Sequence, residues 1–205
     1  LFFTDATQSK IPDMLEHQML TSASWADMDN DGRLDLVVAT EWGSIQIFSN
    51  NGTMFSNGTE QSGLGKHTGW WYSIVATDID QDGDMDLIAG NLGQNYKYKA
   101  SEDTPFYLYV NDFDDNNTQD IVLGYTQNNT VYPLRGRQCS SQQMPFIKEK
   151  FKTYDAFAKA NITEVYGEKL DKGVQYKVTT FASGIFRNNG TGNFDFEPFG
   201  NRAQL

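Results

Sequence analysis

Disulfide stapling within the chain is excluded by composition, because Cys139 is the single cysteine among 205 residues. That scarcity neither argues for export nor against it, since a bound ion can take over the stapling role. No run of 18 apolar residues occurs, so no segment is long enough to cross a membrane as a helix. Positive charge is also short: 16 Lys and Arg stand against 27 Asp and Glu, for a net charge of −11. This disfavours a nucleic-acid backbone or an anionic membrane as partner. No leader is read at the start, and a chain that opens on Leu1 rather than Met reads as a piece excised from something longer. Outside the loops described next, there is neither a nucleophile motif nor a pair of carboxylates at catalytic spacing.

What the chain does contain is a repeated acidic turn. Asp27-Met-Asp-Asn-Asp-Gly-Arg-Leu-Asp35 recurs as Asp78-Ile-Asp-Gln-Asp-Gly-Asp-Met-Asp86 and, degraded, as Asp112-Phe-Asp-Asp-Asn-Asn-Thr-Gln-Asp120. Oxygen-bearing side chains fall at loop positions 1, 3, 5 and 9: Asp27, Asp29, Asp31 and Asp35; Asp78, Asp80, Asp82 and Asp86; Asp112, Asp114, Asn116 and Asp120. Carboxylates so crowded repel one another as water is excluded, so the folded loop needs a cation at its centre. A hard ion with six to eight oxygen ligands fits, which points to Ca²⁺. The backbone carbonyl of position 7 (Arg33, Asp84, Thr118) is a further expected ligand. Gly32 and Gly83 at position 6 supply a left-handed turn, and Asn117 replaces them in the third copy. Two complete loops thus predict two ions; the third, with Asn116 and no glycine, predicts a third ion on a weaker ligand set. Eleven of the 27 acids lie in these positions, so the negative charge reads as a metal inventory rather than an acidic interaction surface.

An EF-hand starts in the same way but needs a glutamate at position 12 and flanking helices. Position 12 here is Val38, Ala89 or Leu123, and each loop runs into an apolar strand-like segment. The turn therefore joins strand to strand, and Asp at position 9 replaces the missing glutamate.

The surrounding pattern predicts an all-β fold with a small helical insertion. Strands at Leu20 to Ala26, Leu34 to Thr40, Ser44 to Phe48 and around Met54-Phe55 make a four-stranded antiparallel meander. The pattern restarts 51 residues later, a period expected of a β-propeller blade. The reading is a partial β-propeller of about three blades: A at about 20–60, B at about 69–100 with shortened outer strands, and C at about 105–200, carrying a helical insertion at about 138–170. Within the insertion, Thr153 precedes one helix and Asn161-Ile-Thr-Glu164 reads as a capping pair closing at Gly167. Leu1 to Thr4 reads as a short strand, and His17 is given no role.

These loops, with the closing segments Ile47-Phe-Ser-Asn-Asn-Gly-Thr-Met-Phe55 and Ile185-Phe-Arg-Asn-Asn-Gly-Thr-Gly-Asn-Phe194, resemble the FG-GAP/VCBS repeat of integrin-type propellers. Gly69-Trp-Trp-Tyr-Ser-Ile-Val, Tyr98-Lys-Ala-Ser-Glu-Asp-Thr-Pro105 and Gln143-Met-Pro-Phe-Ile-Lys-Glu-Lys-Phe151 resemble, more closely, exported VCBS-repeat proteins of Bacteroidetes-type bacteria that carry an ASPIC/UnbV module. The resemblance implies a full ring of about seven blades, of which this chain holds about three.

The expected function is a non-enzymatic, extracytoplasmic scaffold, held by calcium, that binds a protein or a glycan. Its open blade edges would meet further blades or a second copy. The alternative is a polysaccharide lyase or hydrolase, since some calcium-loop propellers resembling this one cleave polysaccharides. Trp42, Trp70, Trp71 and Tyr72 would then stack on sugar rings, with His67, Arg135 and Arg137 as ionic or proton-transfer partners. Against it, aromatics beside a strand are more often packing than platform.

Overall fold

A computed structural model of the chain describes residues 2, 4–15 and 19–204. In chain order it forms α1 (Thr7–Lys10), β1 (Met19–Ala26), β2 (Asp35–Gly43), β3 (Gln46–Asn50), β4 (Phe55–Asn57), β5 (Gly69–Trp70), β6 (Ser73–Thr77) and β7 (Asp86–Gly90). Then come β8 (Phe106–Asn111), β9 (Asp120–Gln127) and β10 (Thr130–Pro133), followed by five short helices: α2 (Arg137–Gln143), α3 (Phe146–Lys150), α4 (Tyr154–Lys159), α5 (Ile162–Tyr166) and α6 (Lys169–Lys172). β11 (Val174–Val178), β12 (Gly184–Asn188) and β13 (Phe194–Pro198) complete it. The fold is all-β with a helical insertion, and its three antiparallel sheets of four or five strands are those of a partial propeller. Of the expected strand at Leu1 to Thr4, Leu1 and Phe3 lie outside the described residues, and Phe2 and Thr4 are not in a strand. His17 also lies outside them.

Two compact units divide the chain: Leu1–Tyr98 with Thr180–Leu205, and Lys99–Thr179. The first unit holds two sheets, one ordered β1-β2-β3-β4 with β5 paired to β2, the other ordered β13-β12-β7-β6. Strand β2 shows why periodicity is muted in a blade: Leu36, Val38 and Phe48 pack with Ile11 on one side, while Val37, Ala39 and Ile47 face the core on the other. A strand covered on both faces reads as a continuous apolar run rather than an alternation. At the centre of that core Trp71 exposes none of its surface. Its ring stands 5.4 Å from Phe186 and 5.9 Å from Phe196, edge-on, and its Nε1–H donates to the His67 carbonyl at 3.1 Å. Polar bonds add to the join between the sheets, with Thr21 Oγ1 donating to the Trp71 carbonyl at 2.6 Å and the Ile74 N–H donating to Ser22 Oγ at 3.3 Å.

The boundary between the second and third sheets corrects the sequence reading. The strands at 184–198 were expected to end blade C, with blade B losing its outer strands; instead β12 pairs with β7 and supplies those outer strands. The third sheet closes at Val178, in the order β10-β9-β8-β11. The whole second unit is therefore inserted, in the chain, between two neighbouring strands of one sheet. The reason is specific. The N–H of Asn188 donates to the buried Asp86 Oδ1 at 2.9 Å, as the N–H of Asn50 donates to Asp35 Oδ1 at 2.8 Å. Both asparagines end an Ile-Phe-x-Asn-Asn-Gly-Thr strand, so the second loop recruits the same closing strand as the first, from about a hundred residues further on.

In the second unit, the helices bury Ile147, Phe157, Ile162, Val165 and Leu170 with Tyr109 and Val122 of the sheet. The expected caps form: Thr153 Oγ1 accepts from the Ala156 N–H at 3.1 Å, and Asn161 and Glu164 make a reciprocal box at 2.8 Å in both directions. Burial pushes the hydroxyls of Tyr109 and Tyr166 up to about 12, from an ordinary 10.0. A raised phenol pKa means that the unfolded chain ionises first, so this stability is intact below pH 10 and lost as pH rises towards 12. Urea unfolding between pH 9 and 11.5 should show the second unit weakening by as much as about 2 kcal/mol per ring. Tyr166→Phe should remove its share of that slope, and an unchanged slope would contradict the burial of the hydroxyl.

Candidate metal centres and an aromatic surface

Each acidic turn joins the first and second strands of its sheet: β1 to β2, β6 to β7, β8 to β9. The three fold by one backbone scheme. The position 1 carboxylate accepts N–H groups across the turn, Asp27 from Asp31 (3.1 Å) and Gly32 (2.8 Å), Asp78 from Gln81 (2.7 Å) and Gly83 (3.1 Å), Asp112 from Asn116 (3.0 Å) and Asn117 (2.7 Å). The position 5 oxygen accepts from the N–H of position 7, at 2.8 Å on Asp31, 2.9 Å on Asp82 and 2.8 Å on Asn116. The position 9 carboxylate turns inward and accepts from position 2, at 2.9 Å for Asp35, 3.2 Å for Asp86 and 3.0 Å for Asp120. Position 6 is left-handed in all three, with φ +84° at Gly32, +99° at Gly83 and +63° at Asn117. Position 4 is left-handed too, at Asn30, Gln81 and Asp115, which the spacing argument missed.

Carboxylate oxygens converge within 4.8 Å of one another in each turn: Asp27, Asp29 and Asp35; Asp78, Asp80 and Asp82; Asp112, Asp114 and Asp120. The predicted sets are thus brought together in part. Asp31 falls outside the first trio, its carboxylate paired with Arg33. Asp86 falls outside the second and is held by Arg187, whose Nη1 lies 3.3 Å from it and 3.0 Å from Asp80. In the third turn Lys169 sits 2.7 Å from Asp115 and donates to the carbonyls of Asp112 and Phe113. Asp84, expected through its carbonyl, also uses its side chain, accepting from Asn30 Nδ2 at 2.7 Å and so joining the first turn to the second. A Cβ at position 190 would come within 2.9 Å of that carboxylate, and the φ of +74° there favours glycine.

Electrostatics mark the crowding. Burial pushes the Asp35 carboxyl above its ordinary value; N–H bonds from Asn50 and Met28 pull it back, while the Asp29 and Asp31 carboxylates push it further up. At Asp112 burial also pushes upward, but the N–H groups of Asn117, Asn116 and Asp115 and the Lys169 ammonium outweigh it and hold the carboxyl below its ordinary value. One oxygen in the third turn is left over: the buried Oδ1 of Asp114 has no hydrogen-bond partner. An unsatisfied buried acceptor is expensive, and an ion at the meeting point of Asp112, Asp114 and Asp120 would satisfy it.

The other end of sheet one is aromatic. Strand β2 runs from Asp35 at the metal turn to Gly43, about 25 Å away at a strand's rise per residue. There Trp42 packs 4.8 Å from Trp70, which meets Tyr98 at 6.2 Å and Phe181 at 5.2 Å; Tyr98 meets Tyr96 at 5.1 Å. Tyr72 and Tyr96 are exposed, at 45% and 44%. Trp42 holds φ at +63°, an uncommon conformation for a bulky residue, kept in place by its neighbours. Of the four aromatics expected to meet a ligand, Trp42, Trp70 and Tyr72 are therefore at this surface. Trp71 is not: in the short link between β5 and β6 its side chain turns into the core. The residues suggested for proton transfer are occupied structurally. His67 packs 5.1 Å from Phe196, Arg135 donates to Gln143 at 3.2 Å, and the buried Arg137 donates to the Phe151 carbonyl at 2.6 Å.

Strand-joining acidic turns on four-stranded antiparallel sheets define a propeller-type repeat scaffold. Residues 3–89, which carry the first sheet, β6, β7 and the first two metal turns, match the family model of the FG-GAP-like repeat, supporting that family for this stretch. FG-GAP repeats are generally non-enzymatic scaffolds. Comparison with curated proteins and with solved structures gave no match. Among the described residues, no helix is long and apolar enough to cross a membrane.

Proposed function

We propose that this chain is a calcium-stabilised, extracytoplasmic propeller scaffold that binds a protein or a carbohydrate and performs no reaction of its own. The observation that carries the reading is the orphaned Asp114 Oδ1 at the least complete of three turns that share most of one hydrogen-bond scheme. Asp27, Asp29, Asp31 and Asp35 with the Arg33 carbonyl would hold the first ion. Asp78, Asp80, Asp82 and Asp86 with the Asp84 carbonyl would hold the second, and Asp112, Asp114, Asn116 and Asp120 with the Thr118 carbonyl the third. A bound ion supplies charge neutralisation and a fixed turn, not catalysis, because the loop itself provides most of its ligands. Outside the cytosol calcium is abundant enough to fill such loops, which supports an exported protein akin to the VCBS-repeat proteins with an ASPIC/UnbV module. Recognition is assigned to the surface around Trp70 and Tyr72, at the other end of the first sheet from its metal turn, and the open sheet edges to further blades or a second copy.

Calorimetric titration of the metal-stripped chain tests this. Three calcium ions are expected to bind, and Asp114→Asn should lower the number to two. Without calcium the same variant should be more stable than the parent by about 1–3 kcal/mol, because it removes a buried, unsatisfied charge. A variant that binds three ions with the parent's affinity, or one that is destabilised in both conditions, would sink the assignment.

A further inference from the structure

Beyond the metal turns and the aromatic surface, the inserted helices wall a cleft of about 400 Å³ in the second unit, within the usual range for small-molecule sites. Its apolar lining is small: the half-buried Val131 and the exposed edges of the otherwise buried Ile162, Leu170 and Tyr109. Five polar side chains face the same space: Asn129 and Thr130 from the β9–β10 turn, Thr163 from α5, Asp171 from α6 and Gln175 from β11. Asn129, Thr163, Asp171 and Gln175 are exposed and Thr130 is half-buried, and none of the five makes a hydrogen bond or ion pair with another described residue, so each can turn to a ligand.

That lack of partners is unusual for this chain's asparagine turns. Asn50, Asn51, Asn57, Asn188 and Asn189 all spend their side-chain oxygens on the N–H groups of their own turns. Asn129 sits at φ +58°, after Asn128 at +49°, in the tight left-handed hairpin turn, which holds its backbone firmly while leaving the amide uncommitted. Burial, aided by Tyr107 and the Asp171 carboxylate, pushes the Tyr109 hydroxyl up to about 12, so it remains a proton donor at neutral pH.

The chemistry of the walls selects the ligand. Asp171 is the single charged residue among those lining the cleft, so an anion is repelled and finds no counter-charge. A lipid or other purely apolar guest would strip water from five polar side chains and return no hydrogen bond to them. Amides and hydroxyls both donate and accept, as vicinal hydroxyls do, and a carboxylate can accept from two of them at once. The small aliphatic patch centred on Val131 can meet part of the C–H face of one pyranose ring. We propose that this cleft binds a neutral monosaccharide unit, with Asp171, Gln175 and Asn129 taking its hydroxyls and Val131, Ile162 and Leu170 its apolar face. The site uses no metal ligand, so it stands or falls apart from the calcium reading.

The test uses the full chain in saturation-transfer NMR and calorimetry with D-glucose, D-galactose, D-mannose and D-xylose, and with D-glucuronate and D-glucosamine as charged probes. At least one neutral sugar should bind saturably at one site, and D-glucuronate at least about tenfold more weakly. Asp171→Asn, which is isosteric, and Gln175→Ala should each weaken that binding by about tenfold, with the melting temperature of the variant reported beside it. The proposal is overturned if no neutral sugar binds saturably, if D-glucuronate or D-glucosamine binds better than every neutral sugar, or if both variants bind as the parent does. If one variant melts early, the other carries the test, since Asp171 and Gln175 lie on different elements.

Discussion

Stripping calcium from the intact chain should lower its unfolding free energy by about 3 kcal/mol for each turn that had held an ion at a hundredfold excess over Kd. The size follows from linkage: an ion that binds the folded turn and not the unfolded chain stabilises by RT ln(1 + [Ca²⁺]/Kd). The distribution of the loss is more telling than its total. Turns one and two are tied to each other by Asn30 and Asp84 at 2.7 Å and by Asn188, whose Nδ2 donates to the Met28 carbonyl at 3.4 Å. Both serve the core around Trp71 and Phe186, while the third turn serves the separate core of Phe113, Val122 and Tyr166. Urea denaturation in calcium and in chelator, followed by tryptophan fluorescence and by amide exchange, should therefore show the first unit losing about twice as much as the second. All four tryptophans, Trp25, Trp42, Trp70 and Trp71, lie in the first unit, so fluorescence follows it selectively. Asp114→Asn should abolish the second unit's loss and leave the first unit's intact. Equal stability in calcium and chelator would refute the idea that these turns are metal staples.

The second large effect is at Trp71. Trp71→Ala should cost the first unit about 3–5 kcal/mol, the range for emptying a large aromatic from a close-packed core. The ring is wholly buried against Phe186 and Phe196, and its loss also frees the His67 carbonyl. Tyr72→Ala, one residue on but exposed, should change stability by no more than about 0.5 kcal/mol while weakening capture of the partner. Equilibrium unfolding of both variants decides the matter. A Trp71→Ala protein within about 1 kcal/mol of the parent would mean that the core is not organised around this ring.

Much of this was legible in residues because it is local chemistry. Aspartates at positions 1, 3, 5 and 9 with a glycine at 6 specify the turn by hydrogen bonds within ten residues, and the turn recurs wherever those residues do. The capping residues Thr153, Asn161 and Glu164 were readable for the same reason, as was the strand-to-strand setting that distinguishes these turns from an EF-hand. Even Asn117 in place of glycine announced its left-handed backbone.

Tertiary structure alone decided which strand completes which sheet, which of three consecutive aromatics faces water, and which aspartates converge. Strand partnership is a long-range choice, and Asn188 reached Asp86 past an entire inserted unit because its buried carboxylate needed a second N–H, whatever the distance along the chain. Asp31 and Asp86 match the motif as well as their neighbours do, yet Arg33 and Arg187 hold them, since ion pairing depends on where a cation folds back. The cleft had no signature at all, because its walls come from a hairpin turn, two helices and an edge strand that only packing brings together. Short-range hydrogen bonding writes itself into spacing; burial and pairing across distant segments do not.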